Sequence, residues 1–235
     1  MVQNMADVVY ILKNGIQGDE LRYSLRSLKN FPHDKVWFFG GKPDGLKPDH
    51  MVELEQFGVT IWQKTMWTIE QVCQTPDVSD DFWLFNDDFF IMKPVDEWTN
   101  KFDKTLYRRV AQIKSGREGL GSLYTTQLDR LREQLLDRGM RSYNYEVHMP
   151  MLINKRKGLE VMGKFNRVHL FRSIYGNYHR IGGEQMADCK ISALSKKPKE
   201  DAVMLSTNDA SFAHGYVGQY IRSQFPEACE YEVTE

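Results

Sequence analysis

The chain has 235 residues, of which 41% are hydrophobic and 27% are charged, and these ordinary globular values exclude a fibrous or wholly disordered protein. Its length suits one large domain or one domain with an insertion. Its formal net charge of -1 gives no global electrostatic argument for binding nucleic acid or an anionic membrane surface, although local patches leave nucleic acid open as a partner.

The three cysteines, Cys73, Cys189 and Cys229, are far apart and odd in number, which predicts neither a disulfide framework nor a zinc-knuckle spacing. This usage favours a reducing compartment. The first residues lack the basic and apolar segments of a secretion signal, and no apolar run approaches the ~20 residues of a membrane helix. We therefore expect a cytoplasmic protein with no transmembrane segment.

The first predicted unit is a strand, a loop and a helix. Residues 7–12 form a β-rich run that ends at a turn signal, residues 13–15. Leucines recur at helical spacing from Leu21 onward, with Arg22 and Arg26 four residues apart on a neighbouring stripe. Ligands of such units tend to lie beyond the carboxyl end of the strand. The segment leaves two interpretations open: the arginines face a phosphate, or they lie on a solvated helix face.

Three more strands are predicted before residue 100. They are residues 35–39, residues 58–62 and the opening of an apolar run at residues 82–95, with a short helix between residues 68 and 75. Strands separated by helices or loops in this order predict an α/β fold, in which a mainly parallel mixed sheet is flanked by helices.

The run at residues 82–95 is interrupted by two adjacent acids, Asp87 and Asp88. Charges at the end of a buried strand must emerge at an edge or cleft where something pairs with them. Mg²⁺ and Mn²⁺ bind oxygen ligands, often one or two carboxylates together with substrate phosphates. The acids therefore predict either a metal site for a diphosphate substrate or a turn in which Asn86 and Asp87 cap backbone groups.

Residues 100–141 are predicted to form a mostly helical insertion. Leucines between Leu123 and Leu136 make an apolar stripe, and Gly139 is expected to end the helix. We interpret this helix as a packing element whose arginines are solvated.

Two polar segments follow the insertion. In residues 143–150, His148 is a candidate proton acceptor because histidine exchanges protons near neutral pH. In an extended segment Glu146 would point to the same face and place a carboxylate near the imidazole, although a hydrogen-bonded structural histidine is the competing interpretation. Residues 171–180 mix aromatic, basic and amide side chains, as a sugar or nucleotide pocket would.

A late strand is predicted at residues 202–207, and it ends in a second Asn-Asp pair, Asn208 and Asp209. Ser211 is the expected cap of the helix that follows. If the fold brings the two acidic strand ends together, Asp209 completes the metal site of the first pair.

Four separated stretches, taken in order, resemble the Stealth proteins, which include bacterial capsule sugar-phosphate polymerases and the animal lysosomal-enzyme N-acetylglucosamine-1-phosphotransferase. The stretches are residues 7–10 with Asn14 and Gly15; residues 21–28 with 85–90 and 93–95; residues 148–150 with Phe171 and Arg172; and Asn208 and Asp209 with residues 225–227 and 230–232. The resemblance implies a single catalytic domain over residues 1–235 with a glycosyltransferase-A-like, Rossmann-like core. It further implies transfer of hexose-1-phosphate from a nucleotide-activated sugar to a hydroxyl of a glycan.

The resemblance and the residue patterns together give the candidate site. Mg²⁺ or Mn²⁺ is expected at Asp87, Asp88 and Asp209; catalysis at His148, Arg172 and Asp88; and substrate binding at Asp7, Asn14, Gly15, Arg22, Arg26, Asn86, Glu146 and Asn208. The resemblance implies that His148 takes the proton of the acceptor hydroxyl and that the arginines face phosphate.

Two departures from the family pattern stand out. Residues 11–14 lack the aromatic and acidic side chains often found there, and the chain lacks the long middle segments that often recognise the acceptor. Two other functions stay open. One is a glycosyltransferase that moves the sugar itself to a glycan or a modified nucleobase and releases a nucleoside diphosphate. The other is a non-catalytic subunit that binds a glycan or nucleotide.

Overall fold

The computed structural model describes residues 5–16, 18–116 and 122–233. The strands are β1 (Asp7–Leu12), β2 (Val36–Gly40), β3 (His50–Glu53), β4 (Asp81–Phe85), β5 (Phe89–Ile91), β6 (Lys101–Phe102), β7 (Met151–Asn154), β8 (Glu184–Gln185) and β9 (Met204–Ser206). The α-helices are α1 (Asp19–Ser27), α2 (Ile61–Gln74), α3 (Leu106–Ser115), α4 (Leu123–Asp137), α5 (Lys155–Glu160), α6 (Phe171–Tyr178), α7 (Asp209–His214) and α8 (Tyr216–Gln224). None of the helices in these ranges is long and apolar enough to cross a membrane.

The central sheet confirms the predicted fold class. Its strand order is β3-β2-β1-β4-β7, and its first four strands are parallel while β7 runs antiparallel to β4. Tyr10 of β1 pairs with Phe38 on one side and Phe85 on the other. Such apolar strands can be buried on both faces because helices cover the sheet.

The two faces of the sheet have separate hydrophobic cores. Val8 and Tyr10 point to the face that packs against Leu21 and Leu25 of α1. Val9, the residue between them, points to the opposite face and joins the core that contains α2, α4 and α6. Side chains of a strand alternate between faces, so this short apolar run serves both cores.

The apolar run that begins at residue 82 forms two strands rather than one. The chain leaves the central sheet after β4, turns at Asn86–Asp88, and then pairs as β5 with β9 in an antiparallel ladder. In that ladder Phe89 lies opposite Ser206. The ladder therefore brings the acidic turn next to the strand that precedes Asn208 and Asp209.

The predicted third strand at residues 58–62 is wrong. Thr60 caps α2, since its hydroxyl accepts the Gln63 N–H and the Gln63 side chain accepts the Thr60 N–H. This capping box starts a 14-residue helix, so the short helix expected near residues 68–75 is only its second half. The third strand of the sheet is His50–Glu53.

Two further predictions need correction. Asn208, not Ser211, caps α7, and Ser211 completes the capping box from the third helical position. Residues 171–180 do not line an open pocket, because α6 buries every residue from Phe171 to Asn177. Polar groups in that helix are satisfied within the fold; the Asn177 amide, for example, donates to the carbonyls of Tyr143 and Ser173.

The helical insertion contains α3 and α4, and residues 117–121 of it lie outside the described ranges. Helix α4 ends at Asp137, followed by Gly139 with a φ of 62°, as the sequence predicts.

Candidate active site

Asp88 is the most deeply buried acid of the turn between β4 and β5, with 7% of the residue exposed. Its Oδ2 accepts hydrogen bonds from Ser206 Oγ and Lys190 Nζ, both at 3.0 Å. Its Oδ1 is buried and has no hydrogen-bond partner among the described residues. A buried carboxylate oxygen without a partner is costly, which marks this atom as a place for a ligand.

Two other carboxylates crowd this turn. Burial, followed by the charge of Asp88, raises the pKa of Asp87 to about 6. Burial, followed by the charges of Asp88 and Asp87, raises the pKa of Glu20 to about 7, although Glu20 Oε1 accepts a 2.5 Å hydrogen bond from Thr207 Oγ1. Glu20 comes from the first turn of α1. The site therefore has more negative charge than its neighbours neutralise.

The second Asn-Asp pair lies at the margin of this cluster. Asp209 opens α7 with an 84% exposed side chain, and its Oδ2 lies 3.7 Å from Lys13 Nζ. Its charge contributes to the raised pKa of Asp87. The Asn208 side chain accepts the Ser211 N–H at 2.8 Å, as a helix cap does. In the part of the chain that the structure describes, no group of three or more His, Cys, Asp or Glu side chains is arranged to hold a metal ion.

His148 is bound by a carboxylate that the sequence did not reveal. Asp188 Oδ2 lies 2.8 Å from His148 Nδ1, and Asp188 Oδ1 accepts the backbone N–H of His148 at 3.1 Å. Burial alone would raise the pKa of Asp188, but the hydrogen bonds from His148 hold it below its ordinary value. The carboxylate hydrogen-bonded to the imidazole is therefore Asp188, whereas Glu146 is near enough for the charge of His148 to act on it.

Arg172 is buried and Glu146 is half-buried beneath the site. Glu146 Oε1 accepts the Ser173 N–H at the start of α6 at 2.8 Å, and burial raises the Glu146 pKa. Arg172 donates to the Met149 carbonyl at 2.8 Å and to Asn86 Oδ1 at 3.2 Å, and burial lowers its pKa to about 10. Arg172 thus joins the segment of His148 to the acidic turn.

Residues 188–190 also connect these two parts of the site. Asp188 holds His148, Cys189 Sγ lies 3.0 Å from the His148 carbonyl oxygen, and Lys190 holds Asp88. The segment is placed by a bridge between Lys190 and Ser206 of β9. Alternate side chains of an extended segment point the same way, which lets Asp188 and Lys190 face the site together, but nothing in their spacing identifies His148 and Asp88 as their partners.

A cleft of about 470 Å³ opens at the carboxyl ends of β1, β2 and β3, which is the edge of the sheet at which the acidic turn follows β4. Its lining is Asn14, Gly15, Gly40, Gly41, Lys42, Glu53, Leu54 and Glu55. A Cβ atom on Gly40 would lie 2.1 Å from the carbonyl oxygen of Leu12, and one on Gly41 would lie 2.3 Å from that of Lys13. Both positions therefore require glycine. Asn14 and Gly15 thus lie where the sequence predicts a ligand.

The remaining predicted residues lie apart from this cluster. Arg22 and Arg26 both bind Glu232 near the C-terminal end of the described chain, at 2.7 Å and 2.6 Å, and their contact with phosphate stays a prediction. Asp7 begins β1 at the opposite edge of the sheet from the cleft, where its carboxylate accepts the Trp37 indole N–H and the Ser79 N–H. All three side chains thus bind other groups of the protein itself.

Comparison by sequence finds no matching family model and no matching curated protein. Among solved structures, galactosyltransferase LgtC in complex with donor and acceptor sugar analogs is similar over 97% of this chain and 98% of that chain, with 10% identity and a TM-score of 0.50. Mouse xyloside xylosyltransferase 1 in its apo form aligns over 97% of this chain and 96% of that chain, with 11% identity and a TM-score of 0.37. The likeness to LgtC shows the fold, which is glycosyltransferase-A-like.

Proposed function

We propose that this chain is a metal-dependent transferase that uses a nucleotide-activated sugar and moves hexose-1-phosphate to a hydroxyl of a glycan. The observation that supports the proposal is the connection of His148 and Asp88 through residues 188–190 and Arg172, at the edge of the sheet where β4 ends. The resemblance of four sequence stretches to the Stealth proteins supports the phosphate-transfer chemistry, since the fold alone does not define an activity.

The donor would span the cleft and the acidic turn. The cleft would take the nucleoside in its glycine-bounded space, and Asp87 and Asp88, at the same edge of the sheet, would face the diphosphate. A divalent cation held by Asp87 and by Oδ1 of Asp88 would neutralise the diphosphate. Two carboxylates suffice for Mg²⁺ or Mn²⁺ when substrate phosphates complete the coordination. The unpartnered Oδ1 and the raised pKa of Asp87 fit such a cation.

His148 would accept the proton of the acceptor hydroxyl. Because the Asp188 carboxylate accepts a hydrogen bond from Nδ1–H, the imidazole presents Nε2 as the basic nitrogen. The hydroxyl oxygen then attacks the phosphorus bonded to the sugar oxygen, and the nucleoside monophosphate leaves. In this scheme Arg172 does not touch the substrate: it positions the acidic turn by donating a hydrogen bond to Asn86, the residue before Asp87.

The product nucleotide tests the reaction type. Purified protein is incubated with Mn²⁺, a panel of nucleotide sugars and hydroxyl acceptors, and the released nucleotide is identified by chromatography. Release of nucleoside monophosphate together with sugar-phosphate on the acceptor is expected. Matched variants Asp87→Ala and His148→Ala control for contaminating hydrolases. Release of nucleoside diphosphate alone would overturn phosphate transfer.

The second candidate is a glycosyltransferase that moves the sugar itself, and the fold likeness to a galactosyltransferase favours it. The same assay identifies it through nucleoside diphosphate and a glycosylated glycan or modified nucleobase. A non-catalytic subunit would instead bind nucleotide sugar in a calorimetric titration with equal affinity with and without Mn²⁺, and would release no nucleotide.

A further inference from the structure

Lys190 provides the cation that the acidic turn binds in this structure. Its ammonium lies 3.0 Å from Asp88 Oδ2, with only 10% of the Asp88 side chain exposed. Ser206 Oγ donates to the same oxygen, so Oδ2 has two partners while Oδ1 has none among the described residues. The buried carboxylate therefore has hydrogen-bond partners at only one of its two oxygens among the described residues.

The single positive charge is also too small for the cluster. Asp87 adjoins Asp88 in the turn, and Glu20 is held beside it by its hydrogen bond from Thr207, the residue after Ser206; neither acid forms an ion pair among the described residues. Two other cations lie near these acids. The Lys13 side chain is 60% exposed and lies against the exposed Asp209, where solvent screens it, and Arg172 donates to Asn86 rather than to a carboxylate of the turn. A doubly charged ion at the turn would relieve this imbalance.

We propose that Lys190 and a divalent cation are alternative partners of Asp88, so that cation binding displaces the Lys190 ammonium and frees it for an anionic group of the donor. This inference rests on the metal-dependent function proposed above. It adds a residue, Lys190, that sets the affinity of the acidic turn for its metal and joins the donor-binding groups after release.

The surroundings of Lys190 allow the movement. Its side chain is 27% exposed, so the flexible stem has a path to solvent. Its main chain stays in place, because Lys190 forms a bridge with Ser206 and the Ile191 N–H donates to the Ser206 carbonyl at 2.8 Å. Asp188 can therefore keep its hold on His148 while the Lys190 ammonium leaves Asp88.

Calorimetric titration with Mn²⁺ tests the competition in three proteins: the unmodified chain, Lys190→Met and the matched control Lys13→Met. We expect Lys190→Met to bind Mn²⁺ at least about tenfold more tightly than the unmodified chain, and Lys13→Met to show a much smaller gain, because a partly buried like charge repels the ion more than an exposed one. Equal affinities of the unmodified chain and Lys190→Met would overturn the inference and leave the metal site intact. Absence of binding to both would overturn the metal site as well.

A second measurement needs no Lys190 variant and so stands even if Lys190→Met fails to fold. The unmodified protein is treated with an amine-acylating reagent with and without saturating Mn²⁺, and modification of each lysine is followed by mass spectrometry. Lys190 should react several-fold faster with Mn²⁺, whereas Lys101, paired with the exposed Glu184, should not change. In Asp87→Asn the acceleration should be lost. An unchanged rate at Lys190 in the Mn²⁺-bound protein would rule out displacement.

Discussion

Asp188 holds His148 at two points, because one carboxylate oxygen lies 2.8 Å from Nδ1 and the other accepts the backbone N–H at 3.1 Å. The carboxylate therefore fixes the position of the residue as well as the orientation and tautomer of its ring. A histidine held in this way can take a proton at Nε2 without first rearranging.

Replacing Asp188 by Asn should lower kcat with little change in the KM for the donor. An Asn side chain can present its NH₂ group to Nδ1, which favours the tautomer with the proton on Nε2 and removes the base. We expect a loss approaching that of His148→Ala, within the ~10²–10⁴-fold range of general acid–base catalysis. Steady-state kinetics and the pH–rate profile of each variant measure it.

Glu184→Gln is the matched control for Asp188→Asn, because this exposed acid lies shortly before Asp188, in β8, and pairs with Lys101 instead. It should retain normal kcat. If Asp188→Asn kept both the kcat and the pH–rate profile of the unmodified protein, Asp188 would have no part in positioning the base.

Glu20→Gln should stabilise the protein above neutral pH. The Glu20 pKa is raised from 4.5 to about 7, so the folded state holds this proton more tightly than the unfolded state. The free energy of unfolding therefore falls as the pH rises from about 4.5 to about 7, and Asp87 contributes in the same direction. Glutamine keeps an acceptor for Thr207 without the charge, and each kcal/mol gained raises the Tm by roughly 2–4 °C.

Thermal unfolding between about pH 5 and pH 8 checks the effect of Glu20→Gln. The decline in Tm with rising pH should be shallower in the variant than in the unmodified chain, and Asp209→Asn, at an 84% exposed position, should change it little. An identical pH dependence of the Glu20→Gln variant would contradict the crowded-carboxylate description.

Arg172→Met should destabilise the fold by about 1–3 kcal/mol, because it removes the buried donor of the Met149 carbonyl and Asn86 side chain and takes a positive charge away from the Glu146 carboxylate. The double variant Arg172→Met/Glu146→Gln should recover part of that loss, which a double-mutant cycle of unfolding free energies measures. Arg130→Met, a half-buried position of α4 whose guanidinium makes a surface hydrogen bond to the Arg167 carbonyl, serves as control. A normal Tm in Arg172→Met would mean that the guanidinium acts only on the substrate.

Most of the central sheet could be predicted from the sequence because β1, β2 and β4 are short apolar runs with turn signals at their ends. Thr60 was misread, since a β-branched residue in an apolar stretch favours a strand while its capping box with Gln63 starts a helix. Local pattern could not find Asp188, whose partner His148 is 40 residues away and meets it only through the tertiary fold. Glu20 was missed for a related reason: an acid in the first turn of a helix is ordinary until the fold buries it beside two others.

Glu232→Gln tests the two arginines that the sequence placed on phosphate. Burial raises the pKa of Glu232, but hydrogen bonds from Arg26 and Arg22 outweigh it and lower the value to about 2. The stabilisation is therefore present above the ordinary pKa of 4.5 and is lost as the pH falls toward 2. The variant should have a lower Tm than the unmodified chain at neutral pH, and the two should converge in acid. The control variant Glu184→Gln should lower the Tm very little, since the Glu184 carboxylate is exposed. If Arg22→Met instead raised the KM for the donor and left the Tm unchanged, the Arg22 guanidinium would bind the phosphate of the donor.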